Sequence, residues 1–414
     1  MTATDSTSAA APTETEEEFR ARCHAFLTEH ATGLVFDADP RGANELAAAK
    51  VFQQKVADAG LAGVTYPAEY GGLGMPKSYD RIWREEYAKH NDMTGQLTIS
   101  HGMCVPMLSE YGTHEQKAQY LPDAISGRTV WCQMFSEPGA GSDVASLQTR
   151  AELDGEEWTL NGQKVWTTLA HVSDYGIIVA RTNPDAPKHA GISMFIVDMN
   201  DPGVEIRAIN QIDGGKHFNE VFFTDVRLPT TALIGELNAG WRLATAMLMY
   251  ERVAIGTGSS SGIKTPTSDF LIKTARRHDK LNDRITRQEL MKLYCEETTK
   301  SLVSLRTRAE LKAGNTPGPG GSLGKLHGAK IARMSRSLMM NLAGPAGAAW
   351  ERDEQWEQSE TLARSTLRSF SSNIAGGTDE IQKNIIGDRV LGLPRDISVD
   401  RDVPFKDLKV GTQS

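Results

Sequence analysis

The sequence predicts an α+β chain in three parts, helical, then β, then helical, and three observations carry that reading. Apolar residues recur every three or four positions toward both ends of the chain. Between those regions, short runs rich in β-branched and aromatic residues follow one another with no helix among them, which fits an antiparallel sheet or barrel rather than βαβ units. At 414 residues the chain exceeds what one hydrophobic core usually serves, so two or three packed domains are expected.

Residues 1–18 are rich in Thr, Ser, Ala, Pro and Glu, with neither an apolar run nor a basic start. A disordered tail over residues 1–16 is expected there, not a signal peptide. An N-terminal helical domain over residues 17–129 follows. In it Leu46, Ala49, Phe52, Val56 and Ala59 share a helical face, and Gly60 reads as the C-cap. Residues 66–76 (YPAEYGGLGMP) form a glycine-rich turn before the helical pattern resumes at WREEYAKH.

A β domain is expected over residues 130–236. Asn161-Gly162, flanked by Trp158-Thr159-Leu160 and Lys164-Val165-Trp166, reads as a hairpin turn. YGIIVART, GISMFIVDM, GVEIRAI and EVFFTDVRLP read as further strands. A C-terminal helical domain over residues 237–396 is broken by a loop at residues 316–324 (TPGPGGSLG), and residues 397–414 form a tail.

Composition excludes several classes of function. The formal net charge of −8 is wrong for a nucleic-acid binder, which needs a basic field. The four cysteines show no CxxC spacing, so a reducing, cytoplasmic setting fits better than a disulfide framework or a cysteine-based zinc site. No HExxH pair points to a metal, and no run of apolar residues is long enough to span a membrane. Gly139-Ala140-Gly141-Ser142-Asp143 shares part of a dinucleotide fingerprint but lacks its final glycine and its βαβ setting. Residues 319–325 look like a phosphate loop, but Pro319 replaces the first glycine and Leu326 stands where Ser or Thr must hold magnesium.

Five strings point elsewhere. YGTHEQKAQYLP, MFSEPGAGSDVASLQTRA, LNGQKVWTTLA, HFNEVFFTDVRLP and GGTDEIQKNIIGDRVLGLPR resemble, in order and spacing, the acyl-CoA dehydrogenase family over nearly the whole chain after the tail. The resemblance implies an N-terminal helical domain, a β domain and a C-terminal four-helix bundle. FAD would lie between the last two, in an enzyme that is usually tetrameric. It implies an acyl-CoA substrate and an electron-transfer flavoprotein as electron acceptor, with a homotetramer or a mixed tetramer as the assembly. It also implies roles for single residues. Phe135 and Ser136 line the flavin, Ser142 meets the FAD pyrophosphate or the coenzyme A, Trp166 stacks on the isoalloxazine and Thr168 donates to flavin N5. Thr378 and Glu380 touch the FAD phosphates and ribose. Read without the resemblance, Trp166 is a core aromatic of a strand, and Ser142 and Thr168 make turn or strand-edge hydrogen bonds.

Two departures from the family pattern matter. The adenosine end of FAD is bound in the family across a subunit interface. Arg277 and Gln288 keep the spacing here, but the Phe-Gly pair after the arginine is absent. The glutamine of the following glycine loop is Asn341, one of its glycines is Pro345, and Gly344 and Gly347 remain. The second departure concerns the catalytic base. Most members carry a glutamate where this chain has Gly376. A minority, including isovaleryl- and long-chain-type enzymes, place it before an arginine on a different helix, and Tyr250-Glu251-Arg252 matches that arrangement. Glu251 is then the expected base, with Arg252 beside the substrate and the Gly376 N–H left to hold the thioester oxygen. The plain alternatives are a solvated helix glutamate and a surface or interdomain ion pair for the arginine. The same fold also serves acyl-CoA oxidases and flavin monooxygenases.

Overall fold

The computed structural model describes residues 14–31, 43–256, 265–312, 320–350, 359–394, 397 and 401–408. The order of elements is helical, β, helical, as the patterning predicts. Of the tail expected over residues 1–16, residues 1–13 lie outside the described residues, and Glu16 already belongs to the first helix. Thr15 and Glu18 close a capping box on helix α1 (Glu16–His30), satisfying two backbone N–H groups that a tail would leave to water. Phe19, Cys23, Phe26 and Leu27 of that helix are buried. Helix α2 (Ala43–Asp58) buries Leu46, Ala49, Phe52 and Val56, and Gly60 ends the segment with φ +64. Helices α3 (Lys77–Tyr87), α4 (Val105–Tyr111) and α5 (His114–Ile125) complete the N-terminal unit. A single π turn, Ser100–Cys104, runs straight into α4.

Among the described residues eight strands form one sheet: β1 (Trp131–Met134), β2 (Arg150–Asp154), β3 (Glu157–Thr168), β4 (Tyr175–Arg181), β5 (Ile192–Asp198), β6 (Val204–Ala208), β7 (Phe218–Pro229) and β8 (Leu233–Ile234). Their order is β6-β7-β3-β2-β4-β5-β8, with β1 parallel to β4 and most other pairings antiparallel. The expected hairpin at Asn161-Gly162 is wrong, because residues 157–168 are one strand and the hairpin closes at Gly155 instead, where Asp154 pairs with Glu157. Gly162 sits at a bulge, and a Cβ there would lie 2.7 Å from Thr149 Cα, so the close approach of that backbone requires the glycine. Strand β4 is buried on both sides. Ile177 and Val179 face a core shared with the N-terminal helices, and Ile178 and Ala180 face a second core inside the β domain.

The C-terminal region comprises α6 (Gly240–Gly256), α7 (Ser268–Arg277), α8 (Arg284–Lys312), α9 (Gly320–Ala343), α10 (Ser359–Ser369) and α11 (Asp379–Arg389). Leu271, Leu290, Leu293, Leu338 and Leu362 join α7 to α10 in a third core. The loop expected at residues 316–324 is corrected in part: residues 320–324 already belong to α9, and residues 316–319 lie outside the described residues. Helix α6 packs on the N-terminal helices, on β4 and β5 and on α9, so it touches all three regions. The C-terminal tail is likewise not all tail, since residues 401–408 dock on the β domain. Among the described residues no helix is long and apolar enough to cross a membrane.

Candidate active site

The end of β3 supplies the most distinctive geometry. Trp166 is 58 % exposed and holds φ +62, a conformation bulky residues rarely adopt. It is therefore not the core aromatic that a strand position alone suggests. Phe218 meets its indole edge-on at 6.0 Å and 88°, so the ring is backed from within the protein while much of its surface stays open. The loop after β1 lies alongside, for Val165 N donates to Ser136 O at 2.9 Å. Phe135 is buried, whereas Ser136 and Thr168 are half-buried. The structure thus brings Ser136 and Thr168 close in the backbone to the exposed Trp166, with Phe135 buried beside Ser136. An open indole flanked by hydroxyl and backbone groups fits a flat, polar-edged ring system such as an isoalloxazine.

A buried ion pair fixes this arrangement, and the sequence reading missed it. Lys164 is fully buried; its Nζ donates to Glu137 Oε1 at 2.8 Å and to Phe135 O at 3.1 Å. Glu137 also accepts from Gln148 N at 2.6 Å and Thr149 N at 3.0 Å. Burial pushes its carboxyl up, but the Lys164 charge and these hydrogen bonds outweigh that and hold it below the usual carboxylate range. Burial likewise pulls the Lys164 ammonium down, against the attraction of Glu137. The available signal was weak: Lys164 shares the strand face of Trp158 and Leu160 by its even spacing, in a strand that is otherwise largely polar.

Ser142 is exposed in the loop that follows, where a side chain added at Gly139 or Gly141 would meet nothing within 4 Å. Lys188 Nζ reaches this loop at Asp143 Oδ2, 3.0 Å away. A cation beside an open glycine-serine loop suits an anionic ligand.

A turn of the C-terminal region carries the next group of candidates, and through Arg368 that region reaches the end of β3. Gly376 and Gly377 hold φ +67 and +86 in the turn that leads into α11. Gln382 Nε2 donates to Gly376 O at 2.9 Å and to Gly377 O at 3.3 Å. Thr378 is the N-cap of α11, its hydroxyl accepting from Ile381 N at 3.2 Å, and Glu380 is exposed beside Lys383. Asp379 is buried and accepts from Asn373 Nδ2 at 2.5 Å, with Lys325 Nζ at 3.4 Å.

One contact ties the two regions together. Arg368 of α10 donates to His217 Nε2 at 3.2 Å, and His217 O accepts from Leu169 N at 2.8 Å just beyond Trp166. Burial, then the Arg368 charge, bring the imidazole pKa down to about 4, so it is neutral.

Glu251 is half-buried on α6, and Arg252 follows it on the same helix; the Arg252 side chain lies outside the described residues. The adenosine candidates do not join the Trp166 cluster within one chain. Arg277 is exposed in the last turn of α7, Gln288 on α8 and Asn341 near the end of α9. Gly344, at φ +59, has open space around it.

Comparison with known proteins covers all three regions. Residues 13–128 match the acyl-CoA dehydrogenase N-terminal domain, residues 132–226 its middle domain and residues 238–391 its C-terminal domain. The acyl-CoA dehydrogenase IpdE1 of Mycobacterium tuberculosis is 35% identical over 387 residues, which is 92% of this chain and 98% of that protein. The solved "Tcur3481-Tcur3483 steroid ACAD G363A variant" superposes with a TM-score of 0.75 at 26% identity, covering 92% of this chain and 99% of that one. The ChsE4-ChsE5 complex from Mycobacterium tuberculosis gives 0.71 at 27% identity, covering 93% and 99%.

Proposed function

The chain belongs to the acyl-CoA dehydrogenase family of FAD-dependent oxidoreductases acting on CH–CH bonds, and from that premise we propose that it desaturates a bulky acyl-CoA thioester with Glu251 as the proton-removing base. The observation that carries this reading is the pair of positions at which a carboxylate is absent and present. Gly376 has no side chain and a left-handed backbone, while Glu251 is half-buried on the helix that packs against all three regions.

In this reading the Glu251 carboxylate accepts the proton from the α carbon. The thioester carbonyl oxygen accepts a hydrogen bond from the Gly376 N–H, which holds the negative charge that develops there as the proton leaves. The Trp166 ring, backed by Phe218, orients the flat group and excludes water on its side. Phe135, Ser136 and Thr168 supply polar groups along its edge, and Ser142 faces the phosphates. Bound FAD supplies the acceptor for the β hydrogen, and an electron-transfer flavoprotein takes the electrons onward. Gly376 leaves the volume of a side chain free near the α carbon, and a steroid enzyme is named among the similar structures. Both favour a branched or polycyclic acyl group over a short straight chain.

The test is Glu251→Gln. Flavin should stay bound while its bleaching by acyl-CoA slows by about 10²–10⁴-fold, the usual contribution of a positioned base. Bleaching at the wild-type rate would sink the base assignment, and activity confined to short straight chains would sink the bulky substrate.

A second reading, one subunit of a mixed tetramer, is favoured by two observations. Arg277, Gln288 and Asn341 are exposed, and α8 presents Met291, Tyr294, Leu302 and Leu305 to the surface along one stripe. If the chain purifies colourless and turns yellow only with a partner chain, this reading replaces the homotetramer.

A further inference from the structure

We propose that residues 401–408 are a clip which, through Phe405 and Arg181, fixes the two loops that receive the phosphates of coenzyme A. The proposal rests on the acyl-CoA reading above.

Arg181, at the end of β4, is 4 % exposed and holds two loops at once. Its Nη1 donates to Lys188 O at 2.6 Å, in the loop between β4 and β5. Its Nη2 donates to Ala145 O at 2.6 Å, three residues beyond Ser142. The same two loops meet again where Lys188 Nζ pairs with Asp143. Arg181 is therefore a rivet between the glycine-serine loop and the segment that carries Lys188.

Among the described residues no carboxylate pairs directly with Arg181, on whose charge Glu137 acts only from a distance. Its charge is met by carbonyl oxygens and by the face of Phe405, whose ring centroid lies 3.6 Å from the guanidinium carbon. Phe405 itself is 6 % exposed. Its neighbours lace the segment onto the β4–β5 loop. Phe405 N donates to Ala186 O at 2.9 Å, Lys406 N donates to Pro184 O at 3.0 Å, and Lys406 Nζ pairs with Asp185 at 2.7 Å. Behind the segment lies a cavity of ≈ 570 Å³ bordered by Glu137, Gly139, Gln148, Arg150, Gln163 and Lys406. The clip thus touches the β domain along one edge and is not part of the sheet's core. Removing its anchor should loosen the loops without unfolding the domain.

Coenzyme A carries its charge on the nucleotide, far from the thioester. A clip that acts on the phosphate loops should change affinity for coenzyme A and leave the chemical step alone. Phe405 is in this sense a positioning residue. The experiment is a calorimetric titration of the flavin-loaded full-length protein with coenzyme A, in wild type, Phe405→Ala and Phe405→Tyr. Phe405→Ala should weaken coenzyme A binding by about 3–10-fold, the worth of one cation–π contact of this burial, and Phe405→Tyr should restore it. Flavin content and kcat should not move, and kcat/KM for the corresponding acyl-pantetheine, which lacks the nucleotide, should match wild type. Unchanged coenzyme A affinity in Phe405→Ala overturns the clip. So does a loss shared equally by acyl-pantetheine, or one that tracks lost flavin. Should Phe405→Ala fail to fold, Lys406→Ala, which cuts only the ion pair to Asp185, carries the same test with a smaller loss expected. A wild-type protein that binds no coenzyme A at all overturns the acyl-CoA reading and the clip together. Normal wild-type binding with an indifferent Phe405→Ala overturns the clip alone.

Discussion

Trp166 and Gly376 both hold a left-handed backbone, yet the protein keeps them there by opposite means. At Trp166 the conformation is sterically costly, on the order of 1–3 kcal/mol for a residue with a side chain. It persists because β3 is pinned on both flanks. Lys164 anchors it to Glu137 and Phe135 on one side, and on the other Asn219 Nδ2 donates to Thr167 O at 3.0 Å. At Gly376 the same region of conformational space is free of that cost. The turn there needs little more than the Gln382 amide across its two carbonyls. The wall that would hold the ring in the proposed reading is thus preset by the core of a β domain, while the second wall, the turn that would hold the thioester oxygen, is lightly braced.

Breaking the first wall should have the larger effect. Lys164→Met leaves Glu137 charged and buried with no directly bonded cation, a change that costs about 3–5 kcal/mol where it has been isolated. Urea unfolding of the β domain, followed by tryptophan fluorescence, should shift accordingly, and flavin retention should fall with it. A variant with normal stability and normal flavin content would show that the pair does not hold the Trp166 strand.

Breaking the second wall should cost less and fall elsewhere. Gln382→Ala removes the donor to Gly376 O and Gly377 O, at about 1–2 kcal/mol for two partly solvated carbonyls. Flavin should remain bound, since Trp166 and its neighbours are untouched, and the loss should show in kcat with the acyl-CoA substrate. Equal losses of flavin and of turnover would contradict the division between the two walls.

The same division governs what the sequence could reveal. Strands such as β4 and β5 were legible because β-branched runs fit a pleated, buried surface whatever lies around them. The Asn161-Gly162 turn was misread because the motif is local and the reason for its glycine is not. Gly162 is there for the backbone of Thr149, which immediately precedes β2. Lys164 escaped notice because a lysine reads as a solvated face until its carboxylate partner, 27 residues away, is known. Phe405 is harder still, a lone aromatic in the polar stretch RDVPFKDL, whose partner Arg181 belongs to β4. The Gly376 departure was legible because it is a missing side chain at a position whose chemistry the resemblance specifies. What replaces it depends on how α6 lies against three regions, which no local pattern encodes.

His217 and Arg368 join the two walls, so acidification should separate them by the smallest of these effects. Burial and the adjacent guanidinium set the His217 pKa at about 4 in the folded protein, against about 6.5 for an unfolded histidine. Between those values the unfolded chain binds a proton that the folded chain refuses, so stability rises with pH across the window. The contribution is complete above about pH 6.5 and is lost as pH falls toward 4. Arg368 can only donate, so it takes the Nε2 lone pair; the neutral ring's proton is then on Nδ1, and the Gln211 amide, 3.1 Å away, must turn its Oε1 toward that N–H to accept it. Protonation therefore removes the acceptor and sets two cations side by side. Between pH 7 and pH 5 the thermal midpoint should drop by about 2–4 °C more in wild type than in His217→Gln, which cannot titrate there. The two proteins losing midpoint in parallel would place the acid sensitivity elsewhere and leave the walls joined by packing alone.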